Sequence, residues 1–166
     1  MRRLATTISL YASMTLASGY SCLAAESRTP VAVIIVSVKQ PMTGASTAEL
    51  RRIFLGLTTR WPTHRRVILL VRPAEVEEQK LLLRRVVRMS DIDYSQHWLG
   101  QVFRGEAASP PRTVESVAAM KKAVVEEPDA IGLLDLNDLE PADLHTLRML
   151  AVDGKTPVDR DYVLRK

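Results

Sequence analysis

The chain has 166 residues, of which 46% are hydrophobic, 25% charged and 5% aromatic, with 7 glycines and 9 prolines. This length and balance fit one globular domain with a hydrophobic core, and they exclude collagen-like, prion-like and proline-rich disordered chains. The formal net charge is +4, which taken alone is compatible with nucleic-acid binding.

The first 25 residues have the pattern of a secretory signal peptide. Arg2 and Arg3 give a positive start, residues 4–16 are apolar and rich in Ala, Ser and Thr, and small residues end the segment. We expect cleavage after Ala24 or Ala25, which implies a periplasmic or secreted protein. A membrane anchor is the alternative, but serines and threonines interrupt the segment and leave no run of about 18 apolar residues. An integral membrane protein is therefore not expected.

Removal of this segment changes the charge argument. It takes away two arginines and no acid, which reduces the 23 Lys and Arg to 21 against 19 Asp and Glu. The basic residues Arg84, Arg85 and Arg88 lie on a predicted amphipathic helix, where such residues form a solvated face. Nucleic acid is therefore not expected as a partner.

The single cysteine, Cys22, falls inside the predicted signal segment. Cleavage after it removes the only thiol, so neither disulfides nor cysteine catalysis are expected in the mature chain. A lipoprotein lipidated at Cys22 is the alternative, although the preceding Gly19, Tyr20 and Ser21 fit the Leu-x-small-Cys pattern of such signals poorly.

The rest of the chain alternates between strand and helix patterns. Residues 31–38 form a nearly continuous apolar run, typical of a strand buried on both faces, and this favours a parallel sheet covered by helices. Ser46 is followed three positions later by Glu49, a capping pattern that predicts a helix from Ser46 to about Gly56. The remaining predicted elements are strands at 67–71, 130–134 and 147–152, helices over 74–89, 90–105 and 113–127, and one or two helical turns at 141–146.

This order predicts an α/β protein: one domain over residues 26–154 with a small, mostly parallel sheet and right-handed crossovers. Residues 155–166 are expected to form an extended, partly packed tail. In such sheets, ligands bind at the carboxyl ends of the strands beside helix N-termini. Attention therefore falls on the loops at 39–46 and 72–78.

Little in the sequence is arranged for catalysis or metal binding. His64, His97 and His145 lack partners at zinc-ligand spacing, so we interpret them as surface or half-buried histidines. No Gly-x-Ser-x-Gly nucleophile turn is present, and the Gly-Lys-Thr at 154–156 lacks the upstream glycine of a phosphate-binding P-loop. We therefore expect neither an enzyme nor a resident metal or cofactor.

One turn has the chemistry of an anion site. Thr43, Gly44, Ser46 and Thr47 place hydroxyls and a small residue at a predicted helix start, where free N–H groups and the positive end of the helix dipole attract anions. Every helix needs a cap and few helices bind anions, so capping alone and capping with anion contact are both open interpretations.

Several motifs resemble the phosphate-type substrate-binding proteins of ABC transporters, a two-lobed class of periplasmic binding proteins. The similar segments are Ala-Glu-Leu-Arg-Arg-Ile-Phe-Leu-Gly at 48–56, Thr-Arg-Trp-Pro at 59–62, Phe-Arg-Gly at 103–105 and Pro-Asp-Ala-Ile-Gly-Leu-Leu at 128–134. The resemblance spans residues 31–134 and implies one three-layer lobe of the type II periplasmic-binding-protein fold. It also implies a non-enzymatic role in transport, with phosphate or another oxyanion and an ABC permease as partners.

The resemblance implies anion contacts from the turn at 43–47 and from Arg72, with two departures. Where the family has a Ser-Gly-Thr turn after the arginine, this sequence has Val76, Glu77 and Glu78. Carboxylates there use the helix dipole themselves and repel a divalent anion by about 1 kcal/mol or more each at contact distance. In addition, the length after signal cleavage suffices for one lobe and not for two.

Two hypotheses follow. The first is an exported single-lobe relative with a weak oxyanion site near Ser46, Thr47 and Arg72. The second is an interaction module that kept the lobe and lost the ligand, and that docks to an envelope sensor, porin or transporter. For Arg72, an anion contact and a structural ion pair with Glu75 or Glu77 are equally open interpretations.

Overall fold

The computed structural model describes residues 29–166, so the predicted signal segment and Cys22 lie outside the described residues. A five-stranded sheet has the order β4-β3-β5-β1-β6, and a small second sheet pairs β2 with β7. The strands are β1 (Ala32–Ser37), β2 (Gly44–Ala45), β3 (Ile68–Val71), β4 (Arg112–Thr113), β5 (Ala130–Asp135), β6 (Leu147–Met149) and β7 (Ala151–Val152). The helices are α1 (Thr47–Phe54), α2 (Glu77–Leu81), α3 (Asp91–Phe103) and α4 (Val117–Glu126).

Four of the five strands in the larger sheet run in one direction. Strand β3 is parallel to both β4 and β5, while β1 is antiparallel to both β5 and β6, so that β6 points the same way as β5. The predicted α/β architecture with a mostly parallel sheet is confirmed. The parallel pairing inferred from the burial of residues 31–38 is wrong for β1 itself, because a central strand is buried on both faces whichever way its neighbours run.

The sheet separates two hydrophobic cores, and β1 contributes to both by the alternation of its side chains. Ala32, Ile34 and Val36 pack with α1, α2 and α3 on one face, whereas Val33 and Ile35 pack with α4 on the other. The result is three layers, helix, sheet and helix, as predicted for a single lobe.

Helix α1 begins where its sequence predicts. The Ser46 hydroxyl accepts from the Glu49 N–H at 3.1 Å, and a Glu49 carboxylate oxygen accepts from the Ser46 N–H at 2.8 Å, forming a capping box. The apolar residues Leu50, Ile53 and Phe54 are buried on its inner side.

Two other helix boundaries differ from prediction. The helix predicted over 74–89 begins at Glu77, because residues 73–76 form a turn, and its second half, Leu82–Val87, is a π-helical turn that ends at Arg88 with φ of 59°. Helix α4 is capped by Ser116 and not by Thr113, because Thr113 pairs with Val71 in the sheet. Leu82 and Val86 face the core as predicted, and Met89 is partly buried.

The C-terminal residues pack onto the start of β1. Tyr162 and Leu164 are buried in the same core as α1 and α3, and the Ala32 N–H donates to the Leu164 carbonyl at 2.9 Å. The boundary between a domain ending at residue 154 and a tail beginning at 155 remains a prediction.

Gly56 lets α3 approach the end of α1. Its φ is +71°, and a Cβ built there would lie 2.6 Å from Trp98 Cη2, far inside van der Waals contact. Gly105 has nearly the same φ, +70°, but nothing lies within 4 Å of its Cβ position. Both glycines therefore have a left-handed backbone conformation, but only Gly56 is packed against another side chain.

We expect Gly105→Ala to lower the free energy of unfolding by about 1 kcal/mol, because a side chain is strained in the left-handed region. Gly56→Ala should cost a further 1–3 kcal/mol, roughly the cost of overpacking against the indole. Urea denaturation of both variants measures the difference. Equal losses would contradict the packing role of Gly56.

Candidate functional site

The N-terminus of α1, the predicted anion position, is occupied by a carboxylate of the protein itself. Asp153 Oδ1 accepts from the Thr47 N–H at 2.9 Å, and its second oxygen accepts from the Thr47 hydroxyl. Glu49 accepts from the N–H and the hydroxyl of Ser46, both at 2.8 Å. The two predicted hydroxyl contacts, Ser46 and Thr47, are therefore each paired with an internal anion.

Asp153 reaches this position because β2 and β7 are paired. The two strands run parallel, with Ala45 opposite Val152, and the Asp153 N–H donates to the Ala45 carbonyl at 3.0 Å. Hydrogen bonds from the Thr47 hydroxyl and N–H hold the pKa of Asp153 below its ordinary value. The group is therefore an anion at neutral pH.

The other two residues of the predicted turn serve this pairing. Thr43 is exposed, and its carbonyl accepts from the Ala151 N–H at 3.1 Å. Gly44 allows the close approach of β2 to β7, since a Cβ there would lie 3.1 Å from the Ala151 carbonyl oxygen. Both positions have a structural role that needs no ligand.

Arg72, the remaining predicted anion contact, is buried, with 7% of its surface exposed. Its Nε donates to Glu78 at 3.1 Å and its Nη1 donates to the Val114 carbonyl at 2.7 Å. Its backbone N–H donates to the Gln79 side chain at 3.2 Å. The ion-pair interpretation predicted Glu75 or Glu77 as the partner, and the structure corrects this to Glu78, which points from the first turn of α2 toward the sheet.

Glu77, the neighbouring acid in that turn, faces solvent instead. It accepts from Lys80 at 3.2 Å and from Lys166 at 3.1 Å, and these ammonium groups, Lys166 foremost, lower its pKa. Nearby, burial together with the charges of Asp135 and Glu78 raises the pKa of Asp138. Carboxylates therefore gather where the strands of the sheet end, at the edge where α/β proteins bind their ligands.

The structure does not bring the predicted residues together into one site. Within residues 29–166, no hydrogen bond or ion pair joins Arg72 to residues 43–47, and each group has its own internal partners. In the same range, no set of three or more His, Cys, Asp or Glu side chains is placed to hold a metal ion. No helix in this range is long and apolar enough to cross a bilayer.

The segments that resemble binding proteins make contacts that define the fold. The Trp61 indole N–H donates to the Asp129 carbonyl at 2.9 Å and fixes the 59–66 loop to the start of β5. A Cβ on Gly132 would lie 2.7 Å from Met120 Sδ, so this glycine lets α4 approach the sheet. Trp61 and Gly132 therefore position a loop and a helix against the sheet. Of the family-like segments, the one at 48–56 reaches the predicted anion turn, through the capping box of Glu49 with Ser46.

His97 is half-buried, as the sequence predicts, and it has a structural role. Its Nε2 lies 2.9 Å from the Leu55 carbonyl, to which Gln101 also donates, and the Tyr94 hydroxyl donates to the Phe54 carbonyl at 2.9 Å. These α3 side chains satisfy the free carbonyls at the end of α1. Burial raises the pKa of Tyr94.

Two grooves flank the loop at 106–111, on either side of Trp98. The groove at the end of β3 has a volume of about 470 Å³ and is lined by residues that include Arg72, Pro73, Tyr94 and Thr113. The other has a volume of about 410 Å³ and lies between Gly56, Ile68 and Glu106. Both are open depressions of the surface next to α3.

Comparison with known proteins gives a fold and no family. No protein-family model and no curated protein matches this sequence. Among solved structures, the chain is similar to a protein from Clostridium perfringens described as a phosphate ABC transporter substrate-binding protein with bound phosphate, with a TM-score of 0.64 and 13% identity. It is also similar to an ABC-type phosphate transport receptor from Vibrio cholerae, with a TM-score of 0.62 and 14% identity, and to PstS from Borrelia burgdorferi, with 0.61 and 14%.

Each of these matches covers 82% of this chain and little more than half of the other: 53%, 54% and 55% in the same order. The chain thus spans about half the length of the structures it resembles. At this identity the likeness concerns the fold alone, and it confirms the predicted α/β lobe of the periplasmic-binding-protein type.

Sequence reasoning missed Asp153 as part of the candidate site. The sequence indicates only a turn at Asp153-Gly154. Thr47, the residue that Asp153 binds, lies 106 residues away in the chain. A parallel pairing of β2 with β7 would have been the signal, but two-residue strands leave no pattern in a sequence.

The Thr47 contact predicts a pH-dependent contribution to stability. A carboxyl whose pKa is lowered by folding stabilises the native state above its ordinary pKa of about 3.9 and loses this contribution as the pH falls through the native value. Asp153→Asn should therefore lower the free energy of unfolding at neutral pH by about 0.5–1 kcal/mol, because the group is exposed and screened. Denaturation at several pH values should show the difference shrinking below pH of about 4. A difference that does not depend on pH would contradict the electrostatic role.

Proposed function

We propose that this protein is an exported, non-enzymatic lobe of the substrate-binding-protein type that acts by docking to another protein of the cell envelope. The observation that carries the proposal is the Asp153 carboxylate on the N-terminus of α1. It accepts both polar hydrogens that Thr47 offers, which are the donors that an oxyanion would need.

The state of Arg72 supports the same proposal. Its guanidinium is buried and already bonded to the Glu78 carboxylate and the Val114 carbonyl. A dissolved oxyanion would have to displace a buried ion-pair partner, and breaking such a pair by removing one side costs about 3–5 kcal/mol. A Kd of 1 mM corresponds to a binding free energy of about 4 kcal/mol, so the cost of breaking the pair is about as large as the whole binding free energy of a millimolar ligand.

The docking surface in this proposal is the carboxyl edge of the sheet. This edge carries Asp135 and Asp138, whose negative charges favour a partner with a basic surface. The nearby Glu77 is already paired with Lys80 and Lys166. An envelope sensor, a porin or a transporter component is the proposed class of partner. The chain spans about half of the binding proteins it resembles, so this edge carries no second lobe from the described residues.

Weak oxyanion binding at Thr43, Gly44, Ser46, Thr47 and Arg72 is the second candidate function. It is favoured by the likeness to a structure with bound phosphate. Phosphate binding at this position requires that phosphate compete with the Asp153 carboxylate for the N–H and hydroxyl of Thr47.

Calorimetric titration with phosphate and sulfate separates the two candidates. We expect no saturable heat from the wild type at millimolar anion, and weak binding by Asp153→Ala, in which the Thr47 donors are free. Asp159→Ala is the matched control, because Asp159 accepts from the N–H and the hydroxyl of Thr156 at 2.6 and 2.8 Å but caps no helix of the fold. Saturable phosphate binding by the wild type, abolished by Thr47→Val, would establish the second candidate instead.

Site-specific crosslinking in cells tests the docking surface. A photoreactive residue at Asn137, which is exposed at the carboxyl edge after β5, should give a discrete adduct with an envelope protein. The same residue at Lys122, on the outer face of α4, should give none. Adducts from neither position, in a protein that is exported and folded, would count against a docking function.

A further inference from the structure

Helix α3 carries an apolar stripe on the side that faces away from the protein. Ile92, Leu99 and Phe103 expose 68%, 58% and 82% of their surface, whereas Tyr94, Trp98 and Gln101 are buried on the inner side. At 3.6 residues per turn, the three exposed residues lie within about 40° of one another around the helix axis. The stripe therefore runs along one side of α3, with the exposed polar residues Ser95 and Gln96 between Ile92 and Leu99.

The charges of α3 lie only at its ends. Asp91 and Asp93 are in its first turn, Arg104 follows its last residue, and residues 94–103 contain no Asp, Glu, Lys or Arg. A solvated helix face usually carries charged residues. This face has an uncharged centre, an acidic start and, at its other end, Arg104 bonded to Glu106. When two copies run in opposite directions, Arg104 of each copy lies beside the acidic start of the other.

Gly100 lies next to the stripe and is not required by packing within the chain. A Cβ at this position would meet only the guanidinium of Arg104, with Nη1 at 3.0 Å. Glycine inside a helix is disfavoured relative to alanine. A second helix lying close to α3 would give this glycine a role, because it lowers the surface at that point.

We propose that α3 is a self-association surface, on which α3 of a second copy packs antiparallel around a two-fold axis. Ile92 then lies opposite Phe103 of the second copy, and the two Leu99 side chains meet near the axis. The acidic start of each helix lies beside Arg104 of the other, where Arg104 adds an intermolecular contact to its exposed pair with Glu106. A parallel pair would place like charges together at both ends. This dimer uses a surface other than the carboxyl edge and holds whether or not the lobe binds an anion.

Light scattering coupled to size exclusion tests the surface over a range of protein concentrations. We expect a concentration-dependent dimer for the wild type, weakened by about tenfold or more in Leu99→Gln and in Phe103→Gln. Val158→Gln is the control, because Val158 is 78% exposed and lies outside α3. All three positions are exposed, so circular dichroism should report an unchanged fold. A wild type that is monomeric at every concentration overturns the proposal.

Disulfide trapping tests the antiparallel register, with Cys22 replaced by serine so that the introduced thiol is alone. With Ile92 opposite Phe103, the two copies of residue 99 are offset by about 4.5 Å along the axis and the two copies of residue 92 by about 16 Å. Leu99→Cys should therefore form a crosslinked dimer on mild oxidation, and Ile92→Cys should not. Crosslinking through Ile92→Cys with none through Leu99→Cys overturns the antiparallel arrangement.

Charge exchange gives a second readout of orientation. Arg104→Glu should weaken the dimer by placing acids opposite acids, and the triple exchange D91K/D93K/R104E should restore it. In a parallel pair, Arg104→Glu would replace one like-charge contact by another and leave the affinity unchanged. Restoration by the triple exchange cannot come from a purely structural role of Arg104, so its absence contradicts the proposed contact.

Discussion

The architecture depends on the burial of β1 between two cores. All six of its residues are buried, and their alternation supplies apolar side chains to both faces of the sheet. Because β1 runs against its neighbours, its first residues lie at the edge where the other strands end, and there Leu164 bonds to Ala32. The helices on one face, the helix on the other and the C-terminal residues are therefore all organised around one strand. A charge in this strand would remain buried whichever face it pointed to.

The carboxyl edge of this sheet, where α/β proteins bind their ligands, carries donors that are bonded to carboxylates of the protein itself. Glu78 pairs with buried Arg72, Asp153 caps α1, and Glu77 is held by two lysines. The hydroxyls of Ser46 and Thr47 and the Nε and Nη1 groups of Arg72 thus have acceptors within the protein. Asp135 and Asp138 remain at the rim, and in the proposed function they favour a protein partner with basic groups. A fold similar to that of phosphate-binding structures and the lack of a Ser-Gly-Thr turn after Arg72 are therefore compatible with each other.

Features set by neighbouring residues were predictable from the sequence, and features set by distant pairing were not. The capping box of Ser46 and Glu49 needs only residues three positions apart, so its pattern predicted the start of α1 correctly. The start of α4 was misplaced at Thr113, because that residue is held by β3, about 40 residues earlier in the chain. The contact of Asp153 with Thr47 was not predicted for the same reason, since the two residues are distant in the chain. The family-like motifs predicted the fold well because Gly56, Trp61 and Gly132 are packing residues.

The pairing of Asp153 with Thr47 also bears on how such a lobe could convey a signal. A ligand changes the state of a protein only through its different affinities for two conformations. A carboxylate attached to the same chain acts at a high effective concentration, which linkers commonly bring into the millimolar range or above. In the proposed docking function, Asp153 therefore keeps the α1 terminus occupied, and the lobe presents the same surface whether or not dissolved phosphate is present.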